Sequence, residues 1–403
     1  MLRQRGPAPA AESRADPQAL SPLLRHIAEG SATTRAHLAR VTGLSRSSVS
    51  QRVDVLLGKG LIVEDGTTAS GGGRPALRLR INPEAGLILV ADLGATRARF
   101  AVSDLAGAEL GSTVQELEID QEPQQVLART DRNFRALLDT ADRPALDVRA
   151  IVVGLPGPVE IETGTAVKPP LMPRWHGYPV PSYFAECYAA DTLVDNDVNL
   201  MALGEHRAVY PNLKHLLFIK VGTGIGCGII VSGELHRGAD GAAGDLGHIR
   251  VPGCDAPCRC GNTGCLEAVA GGQALADHLT ANGLAAATAR DVARLATEGG
   301  TLARQEVREA AQHIGEVLAA IVSFANPSAI VVGGSLAQLD EVLLSGIRSR
   351  IYGRALPLAQ RSLRIETSTL GDRAGTVGAI ALAQEHALSE KGLANLLRIR
   401  RPA

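Results

Sequence analysis

Past residue 18, the apolar positions fall first at helical spacing and then at strand spacing. Leu20, Leu23, Leu24 and Ile27 form one apolar helix face, and Gly30 ends it. The segment TTRAHLARVTG predicts a second helix, with Thr33 or Thr34 as cap and Leu38 and Val41 inward. Gly43 permits a tight turn. Ser45 then caps a third helix, SRSSVSQRVDVLLGKG, with Val49, Val53, Leu56 and Leu57 inward and Gly60 as its stop. Two alternating stretches, LIVED and ALRLRIN, flank TTASGGGRP and predict a β-hairpin. Helix, helix, glycine turn, helix and hairpin is the layout of a winged helix-turn-helix.

Beyond Pro83 and Gly86 the pattern changes to long apolar strands broken by glycine. GLILVADLGATRARFAVSDLAG reads as strand, tight turn, strand, with Asp92, Gly94 and Thr96 on the turn. RAIVVGLPGPV is a buried strand ending in a Gly/Pro loop. TLVDNDVNLMALGEHR is a short strand running into a helix, with Asp197 at the junction, where it serves as an N-cap or as a general base. HLLFIKVGTGIGCGIIVSGEL repeats the strand–turn–strand theme with Gly222, Thr223, Gly224, Gly226 and Gly228, whose backbone N–H groups suit a phosphate. A long helix around 303–325 ends at Asn326–Pro327, and the strand AIVVGGS follows with Gly333 and Gly334. Two such hairpins, each opening half of the body, predict a duplicated α/β lobe with a cleft between.

Charge sharpens the division. Residues 1–82 hold 12 Lys/Arg against 6 Asp/Glu, while the other 321 residues hold 29 against 36. A basic end on a mildly acidic body points to a nucleic-acid module fused to something else. On the third helix, Arg46, Ser47, Ser50, Gln51 and Arg52 face outward on the early turns, where they reach base edges and phosphates in a major groove. Arg74 follows three glycines and suits a minor-groove contact from the wing. A small three-helix protein-interaction domain would share the skeleton, but not the polar recognition face and the basic wing. Aromatics are 3% of the 403 residues, against a single-stranded nucleic-acid binder built on stacking. No apolar run reaches a membrane span, and the N-terminus lacks a signal's apolar core, so a cytoplasmic protein is expected. Residues 1–18, rich in Pro, Ala and charge, read as a disordered arm.

The motifs DLGAT (92–96), GLPGPV (154–159), NDVN (196–199), GTGIGCGI (222–229), GDLGH (244–248), CRCGNTGCLE (258–267) and VVGGS (331–335) occur in one order over nearly all of 87–385. In that order they resemble the ROK family of repressors, open reading frames and sugar kinases. The resemblance implies a two-lobed, actin-like or hexokinase-like α/β ATPase fold behind an α+β winged helix-turn-helix. The expected organisation is an arm at 1–18, a DNA-binding domain at 19–82, a first lobe at 83–200 and a second lobe at 201–403. The last helix is expected to pack back on the first lobe.

His248, Cys258, Cys260 and Cys265 give H-x9-C-x-C-x4-C, one imidazole and three thiolates in the manner of a closed structural Zn²⁺ site. Cys254 stays outside this set. By the resemblance, Gly157, Asn196, Asp197, Asp245, His248 and Glu267 contact a sugar, with Asp245 standing where the family usually has Glu. His248 would bind metal through one ring nitrogen and sugar through the other. Asp92, Gly94, Thr96, Gly222, Thr223, Gly224, Gly333 and Gly334 would be the nucleotide site, working or vestigial. The expected function is a sugar-responsive transcriptional repressor with operator DNA and a sugar effector as partners, acting as a homodimer or homotetramer. The alternative is an ATP-dependent sugar kinase using Mg²⁺–ATP and Asp197 as catalytic base. Ala95, where family kinases usually have a second glycine, tilts the reading toward the regulator.

Overall fold

The computed structural model describes residues 16–67 and 76–398. Most of the expected arm, and the wing tip with Arg74, lie outside the described residues.

Helix α1 (Pro17–Ala28) begins two residues before the expected boundary at 19. Asp16 caps it, accepting from the Gln18 N–H at 3.1 Å, and proline fits the first helical position. Thr34, not Thr33, caps α2 (Arg35–Thr42), and Ser45 caps α3 (Arg46–Gly58). Gly43 turns the chain between them at φ +69°, a left-handed conformation that glycine adopts without strain. Leu20, Leu23, Leu24, Leu38, Val49, Val53 and Leu56 close the three-helix core. Val41, expected inward, is 43% exposed, and Leu57 is half-buried. With only 8 residues, α2 has one inner position, and Leu38 fills it. Strands β1 (Ile62–Thr67) and β2 (Leu77–Ile81) pair antiparallel, Ile62 opposite Ile81, and form the stem of the wing.

The body runs through β3 (Leu87–Leu93), β4 (Arg97–Asp104), β5 (Glu109–Glu116), α4 (Pro123–Thr140) and β6 (Val148–Leu155). Short strands β7 (Val159–Glu160) and β8 (Thr165–Ala166), helix α5 (Val180–Ala185), β9 (Asp191–Asn196) and α6 (Asp197–Ala208) complete its first part. The second part opens with β10 (His215–Val221), β11 (Ile225–Val231) and β12 (Glu234–Leu235). Helices α7 (Leu266–Ala270), α8 (Gly272–Ala281), α9 (Ala289–Thr297) and α10 (Thr301–Ala325) lead to β13 (Ala329–Gly333). The chain ends with α11 (Asp340–Arg354), α12 (Pro357–Gln360), β14 (Arg364–Thr367), α13 (Ala374–Ala387) and α14 (Glu390–Arg398).

Two five-stranded sheets result, ordered β5-β4-β3-β6-β9 and β12-β11-β10-β13-β14. Each consists of three antiparallel strands with two more added in parallel, so one topology is used twice. The central strands LILVADL, VRAIVVGL and AIVVG are almost wholly buried, as strands covered on both faces must be.

Helix α6 crosses the expected boundary at 200 and touches β10 and β11 as well as β6 and β9. Helix α13 follows the second sheet yet packs back on β3 and β6 of the first. The two helices meet backbone to backbone. A Cβ on Gly204 would lie 2.1 Å from the Ala374 carbonyl oxygen, and one on Gly378 would lie 1.8 Å from that of Leu200. Helix α14 then reaches α1, and the Ser21 hydroxyl donates to the Leu388 carbonyl at 2.8 Å. One apolar core therefore runs from Leu20 and Leu56 through Ile88 and Val152 to Leu388 and Leu393 without a break at residue 82. Among the described residues, no helix is long and apolar enough to cross a membrane.

Candidate functional site

A cleft opens between the sheets, lined by both hairpin turns, the Gly/Pro loop after β6, the start of α6 and the segment 241–248. Asp92, at the end of β3, is placed by two glycines. A Cβ on Gly154 would stand 3.4 Å from its Oδ1, and one on Gly375 would stand 2.2 Å from its Oδ2. Burial, and then the neighbouring Asp197, push the Asp92 carboxyl up to about 7. Gly94 and Thr96 line the same side of the cleft.

At the β9–α6 junction the cap is Asn196, not Asp197. The Asn196 side-chain oxygen accepts from the Val198 N–H at 2.9 Å, while its amide donates to the Gly157 carbonyl at 2.7 Å. Asn196 thus ties the Gly157 loop to the helix. Gly157 is glycine because a Cβ would come within 2.9 Å of Pro169. Asp197 is the first helical residue, 5% exposed, and its carboxylate accepts from the Lys220 ammonium. Lys220, unmarked by any sequence motif, projects from β10 into the cleft. Asp195, the residue before the cap, is buried and pairs with Arg237 at 2.7 Å and with the Asn199 amide at 2.9 Å, fixing the junction from below.

Glu267, in the first turn of α7, accepts from the Ile225 N–H at 3.1 Å. It occupies the space a side chain on Gly224 would need, since a Cβ there would lie 2.0 Å from its Oε2. Gly226 and Gly228 are small because α6 lies against them, with Val198 at 3.2 Å and Ala202 at 2.5 Å from their would-be Cβ atoms. Close contact on the side-chain side thus accounts for glycine at 224, 226 and 228. Gly222, Thr223, Gly224 and Gly226 line the cleft. Gly333 is buried against the Phe218 ring, away from the cleft, whereas Gly334 and Ser335 line it.

Asp245 is more than half exposed, with its Oδ1 4.0 Å from His248 Nε2. The opposite ring nitrogen, Nδ1, lies 3.5 Å from Cys258 Sγ. His248, Cys258, Cys260 and Cys265 gather their ligand atoms within 4.8 Å of one another, with Cys260 and Cys265 Sγ 3.7 Å apart. A tetrahedron with metal–sulfur bonds of about 2.3 Å has edges of about 3.8 Å, so this spacing fits one metal ion. Gly261 and Gly264, both at positive φ, turn the loop that brings the sulfurs together. Cys254 stands outside the cluster.

On the winged helix, Arg46, Ser47 and Gln51 are exposed on α3. Ser50 and Arg52 are half-buried and bonded within the three-helix unit. The Ser50 carbonyl and hydroxyl accept from Arg35 of α2 at 3.2 Å, and Arg52 donates to the Ala19 carbonyl of α1 at 3.2 Å. At these positions the three-helix contacts take the polar side chains that helical phase alone would turn outward. Arg35 also pairs with Asp54 at 2.7 Å and Glu64 at 3.2 Å, joining α2, α3 and the wing stem.

A two-sheet body with a cleft at repeated hairpins, behind a winged helix, defines a class that the comparisons identify. The ROK family matches residues 88–386 and the MarR family residues 21–74. The chain belongs to the ROK family. It is 28% identical over 381 residues to a xylose repressor of Caldicellulosiruptor bescii, covering 91% of this chain and 95% of that one. A glucokinase of Halalkalibacterium halodurans is 31% identical over 324 residues, 75% of this chain and 96% of its own. The solved structure of a ROK family transcriptional regulator, a homolog of the E. coli MLC protein, superposes with a TM-score of 0.80 at 25% identity, over 96% of this chain and all of that one.

Proposed function

We propose that this chain is a sugar-responsive transcriptional repressor that binds operator DNA through the winged helix and releases it when a sugar fills the cleft. The observation that carries the proposal is full-length likeness. The xylose repressor and the solved regulator match both the winged helix and the body, whereas the glucokinase matches only about the share that the body occupies. Arg46, Ser47 and Gln51 are the base and phosphate readers, with Arg74 on the wing. In the cleft, Asp197, His248, Glu267 and Asp245 present acceptors and a ring nitrogen to sugar hydroxyls, while Asn196 holds the Gly157 loop in place.

The four-ligand cluster is assigned to a structural Zn²⁺ held by His248 Nδ1 and the sulfurs of Cys258, Cys260 and Cys265. When bound, the metal supplies rigidity. The chain's own contribution is to leave His248 Nε2 facing the cleft, so that ring orientation and ligand recognition are linked. Two copies reading a two-fold operator make a homodimer or homotetramer the working assembly.

A mobility-shift titration tests the proposal. Operator binding is expected to vanish when residues 1–82 are removed, and to weaken by about 1–3 kcal/mol of coupling when the effector sugar is present. Operator binding that no bound sugar changes would reject the sensor. Sugar-dependent ADP formation at roughly 1–100 s⁻¹ would favour the second reading, a sugar kinase.

A further inference from the structure

We infer that Lys220 is the residue that keeps this cleft a binding site and bars it from phosphoryl transfer. Its ammonium holds the Asp197 carboxylate in an ion pair, so Asp197 is an oriented acceptor for a ligand hydroxyl but not a free base for that hydroxyl's proton. The inference rests on the sugar-binding role proposed above.

Position comes first. Lys220 is the sixth residue of β10, and its side chain reaches across the cleft to the first helical residue of α6. The pair is largely out of water, with the lysine side chain 24% exposed and the aspartate 6%. With Asp197 Oδ2 held by the ammonium, protonating the carboxylate would leave the lysine charge without its partner. General-base work needs the opposite, a carboxylate whose lone pair is free to take the hydroxyl proton.

The surroundings add to this. Besides Asp197, the Lys220 ammonium feels the charges of Asp92 and Glu267. Burial alone would lower its pKa, but the three carboxylates reverse that, and the net direction is upward, so Lys220 stays charged. A divalent cation carrying phosphates needs oxygen ligands such as Asp92 and Asp197. Here one of them is already neutralised by a fixed cation, which also repels an incoming one.

The repeated topology gives an independent third observation. Asp92 and Lys220 hold the same place in the two sheets, each two residues before the first glycine of its hairpin. Asp92 lies opposite Gly154 in the parallel ladder, and Lys220 lies opposite Gly333. The duplicated fold thus aims a carboxylate and an ammonium at one cleft from equivalent points.

The test uses the full-length chain with Lys220→Met, Asp197→Asn, both together, and Lys220→Arg. In the ligand-free protein each of the two neutralising changes is expected to lower the unfolding temperature by roughly 5 °C or more, and the double variant to recover part of the loss. Lys220→Met strands the Asp197 carboxylate, Asp197→Asn takes away the ammonium's nearest partner, and the double change removes both halves of the pair. Calorimetric titration with D-xylose and D-glucose is expected to show that the sugar bound by wild type binds Lys220→Met about tenfold or more weakly, with most of the affinity restored by Lys220→Arg. Wild type with that sugar and Mg²⁺–ATP is expected to release ADP only at background. Additive stability losses, or unchanged sugar affinity in Lys220→Met, overturn the inference. So does wild-type ADP release above background, and if Lys220→Met removes it, Lys220 serves the transferred phosphoryl group. If wild type binds neither sugar, the sensor reading fails with these ligands, while the stability cycle still decides the ion pair.

Discussion

At the tip of the first hairpin the chain reads Asp92, Leu93, Gly94, Ala95, Thr96. At the tip of the second it reads Lys220, Val221, Gly222, Thr223, Gly224. Both tips are fastened by segments further along the chain. The Thr96 and Ala95 carbonyls accept from Leu117 and Ile119, while the Gly222 and Thr223 carbonyls accept from Gly272 and Gln273 at the start of α8. Both also keep a carboxylate in a niche that glycine leaves open, Asp92 beside Gly375 and Glu267 beside Gly224. The difference is the charge at the matching point, and it is compensated differently. Asp92 is pushed toward neutrality by burial, whereas Lys220 stays charged by pairing with Asp197. Repeated topology sets where a side chain points, and the residue type then decides whether that point attracts a cation or supplies one.

The largest effect is expected where the halves share structure. Gly378→Val drives a side chain into the α6 backbone and should cost about 4 kcal/mol or more, read as a lower midpoint in chemical denaturation. A smaller loss would mean that the sheets are held together elsewhere. Next, Cys260→Ser strikes only the second half. It should abolish bound metal by elemental analysis and cost about 2–3 kcal/mol, with sugar affinity falling in parallel as His248 loosens. Full metal content in this variant would break the four-ligand assignment.

Asp92→Asn probes the charge difference itself. The folded protein holds the Asp92 proton up to about 7, while the unfolded chain releases it near the ordinary value of 3.8. Wild-type stability from this group is therefore complete below that ordinary value and is lost as pH rises toward 7. Asparagine cannot ionise, so the variant should gain up to about 4 kcal/mol on wild type between pH 4 and pH 8, measured by urea unfolding at both. A constant difference across that range would show that Asp92 ionises normally. The smallest effect concerns the turns. Gly94→Ala meets the Arg97 carbonyl at 2.9 Å and should cost about 1 kcal/mol, while Gly222→Ala meets only side-chain atoms at ordinary contact distance, 3.6 Å and beyond, and should cost about 0.5 kcal/mol or less. Equal costs would mean that the two turns are constrained alike.

Much of this architecture was legible in the sequence because local chemistry encodes it. Ser45, Gly43 and the apolar spacing mark α3, and apolar runs ending in glycine mark β3, β6, β10 and β13. The four metal-type ligands stand close together along the chain and come together in space. What could not be read depends on partners remote in sequence. Lys220 looks like an ordinary strand lysine until α6 brings Asp197 to it, 23 residues away. Arg52 has the right helical phase to face DNA, but α1 offers it a carbonyl 33 residues away. Gly224, Gly226 and Gly228 look like a phosphate loop, yet Glu267, Val198 and Ala202 explain their size. A glycine run records that something comes close without saying what. The pairing of Arg237 with Asp195 carried no local signal at all.

The clasp of α14 on α1 has a mechanical consequence. Asn82 donates to the Leu61 and Gly60 carbonyls, so even the junction behind the wing is fastened, and the shared core leaves the winged helix no tether on which to swing. The reading head behaves as the jaw of a caliper, not as a hook on a leash. In the proposed dimer, the gap between the two Arg46 side chains would be dictated by how the bodies join. An operator with about five base pairs inserted between its half-sites would then turn the second site to the far side of the duplex, and the pair could no longer grip both.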